Sequence, residues 1–202
     1  MIIDNAYGTP FPNIIFTQAR PVWNEHTIVC MSLSKLGLPA TRTGIVIANE
    51  EVITMVSQVN AVMSLAPGSM GAAIATDLVR SGEIIHLSRD VIKPFYQQKA
   101  TQALRQLTEQ LEGIDFYIHK PEGAIFLWLW LPNLPVTSAE LYERLKRRGV
   151  LVVPGHYFFP GLKEKWRHKN ECIRVNYAPD KEIVARGLTI IADEVKRAYD
   201  GV

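Results

Sequence analysis

Short uninterrupted apolar runs fill much of the first quarter of the chain, and helical periodicity takes over after them. MIID (1–4), TIVCMSL (27–33) and GIVIA (44–48) have strand length and no polar alternation. That is the pattern of strands covered on both faces in an α/β sheet. Loops leave the first two runs at their C-terminal ends, where open α/β sheets place their ligands. Helices are expected over 50–65 and, after the turn APGS, over 69–80. A long helix is expected over 88–112, with Leu104, Leu107 and Leu111 at helical spacing. Its length suits a brace between two parts of the molecule.

From residue 114 the texture becomes α+β. Strands are expected at 114–119 and 124–131, a helix over 138–148, short strands at 150–153 and 172–177, and a closing helix over 180–199. That last helix carries Ile183, Val184, Leu188, Ile191 and Val195 on one side. The longest apolar run, GAIFLWLWLP (123–132), is too short to span a bilayer and reads as a buried strand. The fold class is therefore α/β followed by α+β: a large-domain piece over 1–87, a connecting helix over 88–113 and a small α+β domain over 114–202. Three strands make a thin sheet with an open edge and uncovered apolar faces, a surface that invites pairing with a second copy.

Composition removes several function classes. A chain of 202 residues with 48% hydrophobic and 21% charged residues is of ordinary globular type. The formal net charge of +2 argues for neither nucleic acid nor a membrane surface as partner. The basic stretch RLKRRG (144–149) reads as the solvated C-terminal end of an amphipathic helix. Cys30 and Cys172 have neither metal-site nor redox-pair spacing, and the five histidines form no HxH or HExxH arrangement, so no metal is expected. MIIDNAYG lacks a basic leader, and a cytoplasmic location is expected.

Three segments could carry chemistry. In DNAYG, Asp4 ends an apolar strand and Tyr7 follows in the loop. An Asx turn is the bland alternative to a carboxylate presented to a cationic ligand atom. In SLSKLGLPATRTG (32–44), Ser32, Ser34, Lys35 and Arg42 surround a Gly-Leu-Pro turn. Two hydroxyls and a guanidinium there would make a phosphate cup, although the segment is not a P-loop because GxxxxGK[ST] is absent. In ECIRVNYAP, strand alternation places Ile173, Val175 and Tyr177 on one face and Cys172, Arg174 and Asn176 on the other. Arg174 is then either half of a structural ion pair or a planar fork for a carboxylate.

Together and in this order the three segments resemble the fold type I pyridoxal-phosphate aminotransferases, with their D-x-A-Y aspartate, S-x-S-K lysine with trailing arginine, and R-x-N-Y-A arginine. The wider stretches HKPEGAIFLWLWLP, GVLVVPGHYFFPG and IRVNYAP look most like the valine–pyruvate branch of that family. The resemblance covers essentially the whole chain but only the C-terminal half of the family's length. It implies pyridoxal 5'-phosphate as cofactor, attached at Lys35, with Asp4 at the pyridine nitrogen, Tyr7 at the ring oxygen, and Ser32, Ser34 and Arg42 at the phosphate. Arg174 would take the substrate carboxylate.

The implied activity is transamination between valine, or a similar amino acid, and a 2-oxo acid, pyruvate, in a homodimer. A β-lyase would share Lys35 and Asp4. The lysine-to-arginine spacing is one residue shorter than in many members, and in this it also resembles the effector domains of aminotransferase-like transcription regulators. Phe158 and Phe159 are candidates for apolar substrate contact or for core packing. The family's N-terminal half supplies further cofactor contacts, so these residues are expected to be part of a longer enzyme and inactive alone.

Overall fold

The computed structural model describes residues 1–66 and 68–201, so Pro67 of the APGS turn lies outside the described residues. The chain divides into two compact units, one of Met1–Gln97 with Glu122–Ala124 and the other of Gln98–Pro121 with Ile125–Val202.

The first unit is built on a three-stranded sheet of β1 (Ile2–Asp4), β2 (Ile28–Ser32) and β3 (Gly44–Ile47), in that order. β1 runs parallel to β2, with Asp4 beside Cys30, whereas β3 is antiparallel, with Ser32 beside Gly44. The reversal between β2 and β3 contains two short 3-10 turns, Leu33–Leu36 and Pro39–Thr41. Pleating turns Val29 and Met31 inward, where they are buried with Leu33, Leu36, Phe11, Ala75 and Ile84.

Helix α1 (Glu50–Ser64) starts at Asn49, whose side chain accepts the Val52 N–H. Helix α2 (Met70–Ser81) ends at Gly82, held at φ 75°, a conformation glycine adopts without steric cost. α2 supplies Ala75 to the core, and the short α3 (Glu83–His86) supplies Ile84. The expected helix over 88–112 is a composite. A π-helical turn, Leu87–Ile92, joins α3 to α4 (Lys93–Gln110). Ser88 in that turn is fully buried and satisfies its hydroxyl on the Ile84 carbonyl at 2.7 Å.

Coverage of the apolar runs differs from the pattern expected of them. The sheet face carrying Ile2 and Val46 is left uncovered, with Ile2 72% exposed and Val46 exposed, and Ile47, in register with Val29 on the packed face, is exposed at the sheet edge. α1 buries no residue, with Val59, Val62 and Met63 all open to solvent. The uncovered faces inferred from the thin sheet are thus present. Among the described residues no helix is long and apolar enough to cross a membrane.

The second unit has a four-stranded antiparallel sheet in the order β4 (Tyr117–Ile118), β5 (Phe126–Trp130), β7 (Cys172–Asn176), β6 (Val153–Pro154). Leu127 and Leu129 of β5 pair with Val175 and Ile173 of β7, and these four are buried. Leu141 and Leu145 of α5 (Ser138–Arg147) and Leu188, Ile191 and Val195 of α6 (Lys181–Tyr199) are buried as well. A capping box starts α5: Thr137 accepts the Glu140 N–H, and the Glu140 carboxylate accepts the Thr137 N–H.

β5 alternates between buried and half-buried positions and is not buried throughout, because its Phe126, Trp128 and Trp130 face away from the helices. β6 begins at Val153, the last residue of the expected 150–153 segment, and Pro154 is tolerated there because β6 is an edge strand. Ile183, expected on the apolar side of the last helix, is exposed. Arg148, from the basic stretch, leaves solvent to pair with the buried Glu194 at 2.7 Å.

Leu129→Ala should lower the unfolding free energy by about 2–5 kcal/mol, since a fully buried leucine leaves both lost transfer energy and a cavity. Val62→Lys, at a position 86% exposed, should change it by less than about 0.5 kcal/mol. Urea titrations of the two variants check the pair.

Burial pushes the Cys172 thiol up from 9.0 to about 12 and the Tyr199 phenol up from 10.0 to about 12. Both groups are held neutral in the fold while the unfolded chain ionises them. Their contribution is complete below pH 9.0 and is lost as the pH climbs toward about 12. Stability measured by denaturant titration should fall across that window, and Cys172→Ser should remove the thiol's share of the fall.

Candidate functional site

The candidate residues of the first unit gather where β1 and β2 end. Parallel pairing puts both C-terminal ends on one sheet edge, so Asp4 and the segment beginning at Ser32 leave the sheet side by side. Asp4 is exposed and forms the Asx turn that its sequence context allows, with one carboxylate oxygen accepting the Ala6 N–H at 3.1 Å. The second oxygen remains open to a ligand cation.

Ser32 caps the 3-10 turn that carries Lys35, its hydroxyl oxygen accepting the Ser34 N–H at 3.2 Å. Gly37, at φ 102°, closes that turn and keeps Lys35 at the strand end. The Lys35 amine lies 5.4 Å from the centroid of the Tyr7 ring, within cation–π reach. Among the described residues no carboxylate pairs with it.

Arg42 folds back over the same turn. It adopts φ 47°, left-handed for a non-glycine residue, and donates from Nη1 to the Ser34 hydroxyl at 3.3 Å and the Pro39 carbonyl at 3.4 Å. Among the described residues no carboxylate neutralises it either. Ser32 and Ser34 each use an oxygen as acceptor in these contacts, so each hydroxyl proton can still be donated. Arg42, Ser32 and Ser34 together form a donor-rich, uncompensated cationic cluster suited to a phosphate.

Sequence reading missed two contributors. Asn5 is buried and holds the Tyr7 loop from within. Its amide donates to the Thr9 carbonyl, and its own carbonyl accepts the Gly8 N–H at 3.2 Å. Gly8 is required there, because a Cβ would sit 1.8 Å from Asn5 Oδ1. Tyr96, on α4, is the second. Burial first, and then the neighbouring Tyr7 phenol, push its hydroxyl pKa up. A buried asparagine can be suspected from N-x-x-G in a turn, but nothing local signals that Tyr96 stands near Tyr7.

Arg174 belongs to the second unit. It lies on β7 opposite Trp128 of β5 and Val153 of β6. Alternation places it on the face away from Ile173 and Val175, as read from the sequence, and so away from their β5 partners Leu129 and Leu127. No ion pair forms at Arg174 among the described residues, which removes the structural-pair alternative within this unit. Its Nε is buried without a hydrogen-bond partner, and its guanidinium carbon lies 4.1 Å from the Phe126 ring centroid. No cluster of potential metal ligands occurs among the described residues.

Comparison with known proteins supplies a context for this geometry. The family model described as Aminotransferase class I and II matches residues 1–191. Valine–pyruvate aminotransferase of Escherichia coli (strain K12) is 51% identical over 199 residues, covering 98% of this chain and 48% of the relative. The crystal structure of valine–pyruvate aminotransferase from Salmonella typhimurium LT2 matches with a TM-score of 0.93 at 52% identity, covering 100% of this chain and 52% of that one. LysN, an α-aminoadipate aminotransferase from Thermus thermophilus, matches with a TM-score of 0.82 at 23% identity, covering 100% of this chain and 51% of that one, a likeness of fold alone. The chain spans about half the length of the relatives it matches.

Gly8→Ala should displace the Asn5 side chain and cost about 1–3 kcal/mol through its stranded buried amide. Denaturant unfolding measures the loss. Faster amide exchange confined to Asn5–Thr9 would tie it to the Tyr7 loop.

Proposed function

The chain belongs to the class I and II aminotransferases, pyridoxal-phosphate enzymes of fold type I, and on that basis we propose that the protein of which these residues are part transaminates valine, or a similar L-amino acid, with pyruvate. The observation that carries the reading is a lysine amine over Tyr7, on the sheet edge shared with Asp4, beside a guanidinium and two hydroxyls, with no acidic partner to lysine or guanidinium among the described residues.

The residues present fit the cofactor by the chemistry of their donors. Arg42, Ser32 and Ser34 would bind the phosphate dianion through charge-assisted hydrogen bonds. The open carboxylate oxygen of Asp4 would bind the pyridine nitrogen and keep it protonated. The Tyr7 phenol would donate to the ring oxygen. Bound there, pyridoxal phosphate supplies an electron sink for charge that develops at the substrate Cα. Lys35 is the point of covalent attachment, and its freed amine would take the Cα proton as general base. Arg174 would hold the substrate α-carboxylate with its planar fork, fixing which Cα bond is broken. The reading extends to a cytoplasmic homodimer, the state that the family resemblance implies.

Titration of the 202-residue chain with pyridoxal phosphate, followed by borohydride reduction and peptide mapping, tests the assignment. A protein-bound absorbance band and a reduced adduct confined to Lys35 are expected. Lys35→Ala should abolish the adduct, and Asp4→Asn should weaken cofactor binding by roughly tenfold or more, the scale of one charge-assisted contact. Label spread over surface lysines would overturn the site. Product analysis of a cofactor-loaded protein given valine and pyruvate would separate transamination from β-elimination.

A further inference from the structure

Arg174 is the residue of the second unit with the least ordinary surroundings. Other arginines of this unit meet carboxylates: Arg148 pairs with Glu194 at 2.7 Å and Arg167 with Glu171 at 2.8 Å. Glu171, one residue before β7, is occupied further by the Trp130 indole N–H and the Asn133 N–H. Arg174 instead lies over two aromatic rings, with its guanidinium carbon 4.1 Å from the centroid of Phe126 and 4.8 Å from that of Phe158.

Both rings are fixed from behind. Phe126 is the first residue of β5, in register with Asn176 of β7. Phe158 ends the 3-10 turn Gly155–Phe158 and meets Trp128 edge-on at 5.1 Å and 88°. That turn is seated against β7: a Cβ on Gly155 would stand 2.8 Å from both Cβ and the carbonyl oxygen of Cys172. The position of Phe158 is therefore set by the same strand that carries Arg174.

Two rings against a guanidinium do three things at once. They attract it through their negative faces, they block out-of-plane approach by oxygen, and they remove water from its surroundings. What remains available is the planar N–H edge, the geometry that grips a carboxylate bidentately.

We propose that Phe126 and Phe158 are positioning residues that orient Arg174 toward carboxylates, and that Phe158, the ring 38% exposed, sets the affinity for them. The inference rests on the reading of Arg174 as a carboxylate ligand. It also assigns Phe158 a role that sequence reading left divided between substrate contact and packing.

The test is an NMR titration of the 202-residue chain with 2-oxoisovalerate, following the Arg174 side-chain Nε–H resonance, with Arg174→Lys, Phe158→Leu and Phe158→Tyr in parallel. In the unsubstituted chain this resonance should be displaced by the ring currents and should respond to the ligand. Phe158→Leu should move it toward its ordinary position and weaken binding about five- to twentyfold, the worth of a partly desolvated cation–π contact. Phe158→Tyr, which keeps the ring, should bind within about twofold of the unsubstituted chain by the same reasoning.

Ligand response of the remaining backbone amides, followed in Arg174→Lys, divides the failures. If it survives unchanged there, the carboxylate binds elsewhere, and both the Arg174 reading and this inference fall. Loss in Arg174→Lys with undiminished affinity in Phe158→Leu overturns the aromatic positioning alone. No response in the unsubstituted chain overturns both.

Discussion

The parallel ladder between β1 and β2 is the constraint on which the candidate site depends. With Asp4 directly beside Cys30, the carboxylate sits only two residues from the end of β2, where the turn bearing Lys35 begins. Antiparallel pairing of the same strands, with Asp4 opposite Ile28, would put about 13 Å of strand between Asp4 and Ser32 at 3.3 Å per residue. The loop over residues 5–27 has to carry the chain back to the start of β2 for the parallel arrangement to exist. Buried Phe11, Ile14 and Asn13 and the internally bonded Asn5 keep that return compact.

A second register decides the fate of Arg174. Trp128 and Val153 flank it in the sheet, and Leu127, Leu129, Ile173 and Val175 take the opposite face against the helices. A slip of one residue would drive the guanidinium into that apolar layer and expose the leucines, so the core fixes the cation outward. The buried carboxylates Glu171 and Glu194 are engaged by other arginines, Arg167 for the first and Arg148 and Arg197 for the second. The outward face is lined instead with rings, an environment that holds a guanidinium in place without neutralising it.

The two units differ in how far their apolar sequence is used. In the second, the inward residues of β5 and β7 and the two leucines of α5, Leu141 and Leu145, are buried almost completely. In the first, α1 leaves Val59, Val62 and Met63 exposed, and β1 exposes Ile2. Burial of a large apolar side chain is worth roughly 1.5–3 kcal/mol. Those exposed residues therefore contribute little to this unit, and its stability rests on the cluster around Val29, Met31, Leu33 and Ile84.

Strand and helix identities were legible in the sequence because apolar periodicity and cap residues act locally: β2, α1, α2, α5 and α6 fall within about two residues of their expected ends. The candidate set Asp4, Tyr7, Ser32, Ser34, Lys35, Arg42 and Arg174 could be named from residue types at short spacings that together resemble one family, and the fold gathers Asp4, Lys35 and Arg42 where β1 and β2 end. The antiparallel direction of β3, the π-helical turn before α4, the proximity of Tyr96 to Tyr7 and the two rings at Arg174 were not legible. Each depends on partners distant along the chain, as Tyr96 is from Tyr7 or Phe126 from Arg174, and strand register and core packing bring such partners together. Residue order alone was enough to mark which side chains could do chemistry and which elements carry them. Their neighbours were settled only by the folded chain, because a contact is selected by the free energy of the whole packed unit and not by the residues that make it.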